Sequence, residues 1–126
     1  MCWKESDYKE IEKLKRSSIL ELPWDLLEDD EDIWKYEKKK LPIAYLRLSP
    51  DPKDESVIWI DEFEVIREYR GQGLGKKVIS DFLDEIGLDV KLMAKNKGVQ
   101  LFWEKCGFED DGITWAEIPM IFRQSR

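Results

Sequence analysis

The sequence predicts a single α/β domain of the mixed α+β kind, and three observations carry that reading. Helical and strand periodicities alternate along the chain. Its 126 residues suit one compact domain, and 42 % of them are hydrophobic, six of these being Trp, enough to bury a core. No internal repeat, low-complexity tract or interdomain linker divides residues 1–126.

Tyr8, Ile11, Leu14 or Lys15, Ser18 and Ile19 recur at three-to-four spacing behind a capping Ser6 or Asp7, which predicts a helix over about Asp7 to Leu20. Leu22-Pro23-Trp24 breaks it. A second helix is expected over about Trp24 to Lys39, with acids early and lysines late to complement the helix dipole. Leu41 to Leu48 reads as a strand, with Ile43, Tyr45 and Arg47 sharing a face. Ser49 to Asp54 is rich in turn residues, and Ser56 to Ile66 is a long strand, so the two strands form a hairpin. Strict alternation puts Trp59, Asp61, Phe63 and Val65 on one face of that strand, and Ile58, Ile60, Glu62, Glu64 and Ile66 on the other. Leu74, Val78, Ile79, Phe82, Leu83 and Ile86 make a helical stripe ended by Gly87. Leu88 to Ala94 is a strand. Val99, Phe102, Trp103 and Cys106 stripe a further helix ended by Gly107. The tail from Phe108 to Phe122 reads as two strands around Asp110-Asp111-Gly112.

The composition narrows the function classes. With no His and only Cys2 and Cys106, the chain offers no His-based catalysis, zinc site or disulfide framework, and no metal is expected. A net charge of −7 argues against nucleic-acid binding. No apolar run approaches the ~20 residues of a membrane span, and the polar N-terminus does not resemble a signal peptide. These features describe a cytoplasmic, reduced protein. The charge is uneven: Glu21 to Asp32 holds seven acids and no base, whereas Ile66 to Ile79 holds four bases and one acid. The first stretch suits a cation and the second an anion.

Arg70-Gly71-Gln72-Gly73-Leu74-Gly75 follows a strand and opens a helix, which presents free backbone N–H groups and a helix dipole to an anion. Gly71, Gly73 and Gly75 permit positive φ and close approach of a phosphate, and Lys76 and Lys77 add positive charge. A dinucleotide fingerprint needs Gly where Lys76 stands, and a P-loop needs longer spacing and Lys-Ser/Thr.

This Arg-x-x-Gly-x-Gly turn resembles the acyl-CoA-binding loop of the Gcn5-related N-acetyltransferase (GNAT) superfamily. A hydrophobic strand ends in Val65, five residues before Arg70, and Asn96 is followed eleven and twelve residues later by Gly107-Phe108, as in that family. Together the matching elements cover roughly Ser56 to Phe122. The resemblance implies a mostly antiparallel central sheet flanked by helices, with a splayed strand pair holding coenzyme A. It implies an N-acetyltransferase that moves an acetyl group from acetyl-CoA to an amine of a small molecule or protein. A CoA-binding or sensor module of the same fold, weak or inactive in catalysis, is the alternative.

The residues that the resemblance assigns to the cofactor are Phe63, Val65, Arg70, Gly71, Gln72, Gly73, Leu74, Gly75, Lys76, Asn96 and Trp103. The N–H of Val65 is the candidate oxyanion donor. Asp61, nine residues before Arg70, is the candidate base; Glu62 and Glu64 replace it if a bulge shifts the strand's register. Many relatives carry a Tyr as general acid seven residues after the Asn, where this chain has Trp103. An indole N–H donates a hydrogen bond but no proton. Cys106 is a conceivable substitute acid or a packed thiol. Asn96 can also cap the helix it precedes. On the acceptor side, Glu28 to Asp32 is either a cation attractor or a solvated helix start. No strand is evident before the first helix, which leaves that sheet edge to a second copy of the chain in a homodimer.

Overall fold

The computed structural model describes residues 3–25, 31–112 and 117–124. The elements run β1 (Trp3–Ser6), α1 (Tyr8–Arg16), β2 (Asp32–Lys38), β3 (Leu41–Pro50), β4 (Val57–Val65), a 3-10 turn (Arg67–Tyr69), α2 (Leu74–Ile86), β5 (Asp89–Ala94), α3 (Lys97–Lys105), β6 (Glu109–Asp110) and β7 (Ile118–Phe122). They build one seven-stranded sheet in the order β1-β2-β3-β4-β5-β7-β6. Every neighbouring pair is antiparallel except β4 and β5.

Helices cover both faces. Ile11 of α1 packs with Leu20, Trp24, Ile33, Tyr45 and Ile66. On the opposite face, Val78, Ile79, Phe82 and Leu83 of α2 and Trp103 of α3 pack against Leu46, Leu48, Ile60, Val90 and Leu92. Asp7 caps α1 through the Glu10 N–H, and Gly87 ends α2 at φ +65°. Among the described residues no helix is long and apolar enough to cross a membrane.

Two expectations are corrected. The segment read as a helix over Trp24 to Lys39 contains β2, and Leu26 to Asp30 lie outside the described residues. Ile33 faces α1, while Trp34 and Tyr36 face α2, a clean two-residue alternation. The hairpin to β3 turns on Lys39 and Lys40, both at positive φ (52° and 67°). Such a turn is ordinarily built with Asn or Gly, so two lysines gave no turn signal. The second correction is β1. It has a single anchor, Trp3, which is 5 % exposed, meets Tyr36 and Phe82 edge-on, and donates its indole N–H to the Val78 carbonyl at 2.8 Å. The edge beside β2 is thus occupied by the chain itself.

Candidate active site

β4 positions the site, and one residue of irregularity decides how. Leu48 pairs with Ile60 and Arg47 with Glu62, so Asp61 is a bulge residue with no partner of its own in β3. The alternation therefore switches: Ile58 and Ile60, then Phe63 and Val65, all pack towards α2 and α3. This corrects the expectation that Asp61, Phe63 and Val65 share a face.

β5 pairs with β4 only from Val57 to Trp59; beyond that the two strands diverge. Ile66 donates its N–H to the Ile43 carbonyl at 2.9 Å. Antiparallel alternation then turns the N–H groups of Val65 and Phe63 away from β3, towards the opening. A cavity of about 750 Å³ lies there, bounded by Phe63, Val65, Gly73, Gly98, Phe102 and Trp103. A second chamber of about 310 Å³ lies on the other side of the splay. A junction of about 160 Å³ links them: it shares Phe63, Val99 and Trp103 with the large cavity and Asp61, Glu62 and Lys95 with the chamber. Through these shared lining residues the three adjoin as one trough beside the splay.

At the mouth of the large cavity stands the glycine turn. Gly71 and Gly73 adopt φ +76° and +75°, and Gly73 caps α2 without a side-chain acceptor. The N–H groups of Leu74, Gly75 and Lys76 thus have no acceptor within the helix and face outward from its positive end. Gly75 is needed for a different reason. It is helical, and a Cβ there would lie 3.1 Å from the Phe102 ring, so the third glycine buys close contact between α2 and α3 rather than positive φ. Lys76 lines the cavity, whereas Lys77 is engaged with Asp81 at 3.0 Å. Gln72 is exposed and bonds the Glu68 carbonyl at 3.3 Å.

Arg70 faces the protein. Its Nε donates to the Val65 carbonyl at 2.7 Å, and its guanidinium also meets Glu64 at 3.0 Å and Glu21 at 2.9 Å. Arg67 hydrogen-bonds the same Glu21 and holds its carboxyl below the usual range, with Arg70 adding to the effect. Glu64 is 3 % exposed and accepts from Arg70, from the backbone of Glu21 and Leu22 at 2.7 and 3.1 Å, and from the Trp24 indole at 2.9 Å. A carboxylate so saturated with donors is a strut. Glu62 accepts from the Trp24 backbone at 3.3 Å, and Asp61 is exposed and has no hydrogen-bond partner among the described residues.

Trp103 is 6 % exposed and lies edge-on to Phe63, Phe102 and Phe108 at 5.6, 5.0 and 5.1 Å. It is both core and cavity wall, and its indole N–H has no acceptor among the described residues. Cys106 lines none of the three spaces; burial pushes its thiol up to about 11, against a smaller opposing effect of Lys76. Asn96 caps α3, accepting from the Val99 N–H at 2.9 Å, and lies outside the lining of all three.

Sequence reasoning missed the strap from Glu21 to Asp25, which walls both sides of the trough and is tied to Glu62 and Glu64. Trp24 within it is fully buried at φ +46°, a strained backbone for a bulky residue. It also missed Arg47 and Lys95, which line the second chamber. The signal for the strap was a Pro-Trp pair beside an acid-rich run. The acids Glu28, Asp29 and Asp30 lie outside the described residues.

A model described as the acetyltransferase (GNAT) family matches residues 1–108. No curated protein matches the sequence. Among solved structures, Escherichia coli ElaA superposes with a TM-score of 0.70 at 19 % identity, covering 96 % of this chain and 98 % of ElaA. PaiA N-acetyltransferase from Thermoplasma acidophilum, solved in complex with coenzyme A, gives 0.58 at 14 %, covering 92 % and 68 %. PH1933 from Pyrococcus horikoshii gives 0.59 at 25 % identity; 75 % of this chain is covered, and this chain spans just under two thirds (66 %) of that protein.

Proposed function

Because the chain belongs to the acetyltransferase (GNAT) family, we propose that it transfers an acetyl group from acetyl-CoA to an amine acceptor. The observation that carries this reading is the trough of adjoining spaces at the splay of β4 and β5. It has an anion-seeking helix end at one mouth, unpaired strand N–H groups in the middle and carboxylates at the other mouth. The residues fit the cofactor on these grounds. The N–H groups of Gly71 to Lys76 and the Lys76 ammonium would hold the pyrophosphate. Phe63 would pair with the pantetheine arm through its free backbone groups, and Val65 would line the arm with its side chain. Arg70 would shape the loop by clamping Val65 and Glu64, and Gln72, Leu74 and Asn96 would contribute through the backbone they cap or carry.

Asp61 is the base in this reading, because it is the uncommitted carboxylate that lines both the junction and the chamber. It would remove the proton from the ammonium of the acceptor. The freed amine attacks the thioester carbonyl, and the Val65 N–H stabilises the oxyanion. Collapse of that adduct would expel the thiolate while its nitrogen loses its second proton to water. Trp103, at the junction, would donate a hydrogen bond to the sulfur, and water would pass that proton on to the thiolate, a transfer the indole cannot make. Glu62, partly engaged by Trp24, would position the ammonium.

The same observation at Trp103 favours a second reading, a CoA-binding module without turnover. Release of free thiol from acetyl-CoA across a panel of amines separates the two. Amine-dependent release is expected. Saturable CoA binding with no release on any amine would establish the module instead, and heat protection by ATP or NAD equal to that by CoA would overturn both.

A further inference from the structure

The acceptor-side chamber carries charges of both signs. Asp25, Asp61, Glu62 and Glu117 line it together with Arg47 and Lys95. Elsewhere the protein pairs such groups readily: Lys35 with Glu10, Glu21 with Arg67 and Arg70, Lys77 with Asp81. In the chamber, none of these six forms an ion pair among the described residues. Arg47 is the most telling. One of its terminal nitrogens donates to the Asp25 carbonyl, and its Nε is buried with no hydrogen-bond partner among the described residues. Arg47 also lines the chamber, so its terminal nitrogens present positive charge to an anionic oxygen arriving there.

Resting on the acetyltransferase reading above, we infer that the acceptor is a small zwitterion bearing both an amine and a carboxylate, of the free amino-acid class, with Arg47 as its carboxylate anchor. The placement follows from which space each residue lines. Asp61 and Glu62 line both the junction and the chamber, so the reacting ammonium lies beside them. Arg47 lines the chamber and not the junction, and it pairs with Glu62 across β3 and β4, so the anion lies on the chamber side immediately beside the ammonium, as in an α-amino acid, with Lys95 next to both. A diamine would answer the carboxylates and leave the Arg47 guanidinium without an anion. A monoamine would leave Arg47 and Lys95 both unanswered. A chamber of about 310 Å³ is at the lower end of the range for small-molecule sites, which suits a compact metabolite.

The test uses the full chain and thiol release from acetyl-CoA, with free amino acids, their methyl esters and 1,4-diaminobutane as acceptors. The free acid is expected to exceed its ester and the diamine at least tenfold in kcat/KM. R47Q should lower kcat/KM at least tenfold more for the acid than for the ester, and R47K should recover part of that difference. Free amino acid added to the CoA-bound protein should raise Tm in the wild type and not in R47Q. If R47Q fails to fold, K95Q provides the same comparison and should narrow the acid-to-ester ratio at least threefold. Esters or the diamine turned over as well as the acid, or an acid-to-ester ratio that survives these substitutions, overturns the inference and leaves the acetyltransferase reading standing. No release with any amine overturns that reading, and this inference with it.

Discussion

Glu64 and Asp61 stand three residues apart on one strand, and their circumstances are opposite. Glu64 is 3 % exposed and is held by Arg70, two backbone N–H groups and an indole. Asp61 is exposed, unpartnered among the described residues, and sits on the bulge. The strand thus has a structural end, where the clamp of Arg70, Glu21 and Glu64 holds the start of the glycine turn, and an open end, where charges are left available and where the proposed mechanism puts its base. Residue type distinguishes neither. What separates them is the bulge, which redirects the strand's side chains, and the strap from Glu21 to Asp25, which covers one carboxylate and leaves the other open.

The largest test of this contrast is stability. Glu64→Ala leaves four donors without their acceptor and an arginine without its buried partner, and should cost about 3–5 kcal/mol. Asp61→Asn should stay within about 0.5 kcal/mol, as a surface change away from packed features does. Urea midpoints at constant slope measure both. Equal losses would show that Asp61 is also a strut.

In the rate of acetyl transfer the order should reverse. Loss of a general base is worth typically 10²–10⁴-fold, so Asp61→Asn should lower kcat/KM by about a hundredfold or more. Glu62→Gln should lower it less. If Glu62→Gln gives the larger loss, the two roles exchange.

How much of this was legible in the sequence follows the same division. The glycine turn, α2 and α3 were readable because their signals are local: glycines at fixed spacing, a stripe at helical period, an Asn before a helix. β2 was not, because its period-two pattern is short and lies beside seven acids that suit a helix start, and because its hairpin turns on two lysines. β1 was not, because one tryptophan carries it. The bulge was anticipated as a condition, yet its position depends on how β3 and β4 pair, which no single strand records. Arg47 and Lys95 became visible only when β3, β4 and the residue after β5 were brought around one chamber.

On the structural side, Gly73 and Gly75 answer to different constraints. Gly73→Val forces a branched residue into φ +75° and crowds the approach to the helix end, so CoA affinity should fall tenfold or more by calorimetric titration. Gly75→Ala places its methyl 3.1 Å from the edge of the Phe102 ring, which can tilt, and should cost a few-fold at most. Equal effects would mean that the turn depends on helix contact rather than on backbone conformation.

The smallest effect concerns Cys106, whose thiol burial pushes up to about 11 while Lys76 opposes the shift. The folded state therefore holds its proton more tightly than the unfolded chain, where the thiol has its ordinary value near 8.5. The resulting stability is complete below the unfolded value and is lost as pH rises through the folded one. Urea midpoints should fall between about pH 8.5 and 11 in the wild type, and less so in C106A. Lys76 also connects this thiol to the glycine turn. An anion bound there would offset the lysine's charge and remove the influence that favours the thiolate. In a C2A background, acetyl-CoA, which carries no free thiol to consume the reagent, should slow alkylation of Cys106 at pH 9, with K76Q slow from the outset and insensitive to it. Acceleration by acetyl-CoA would mean that binding opens the packing around α3, and the loop and the helix could then no longer be treated as one rigid support.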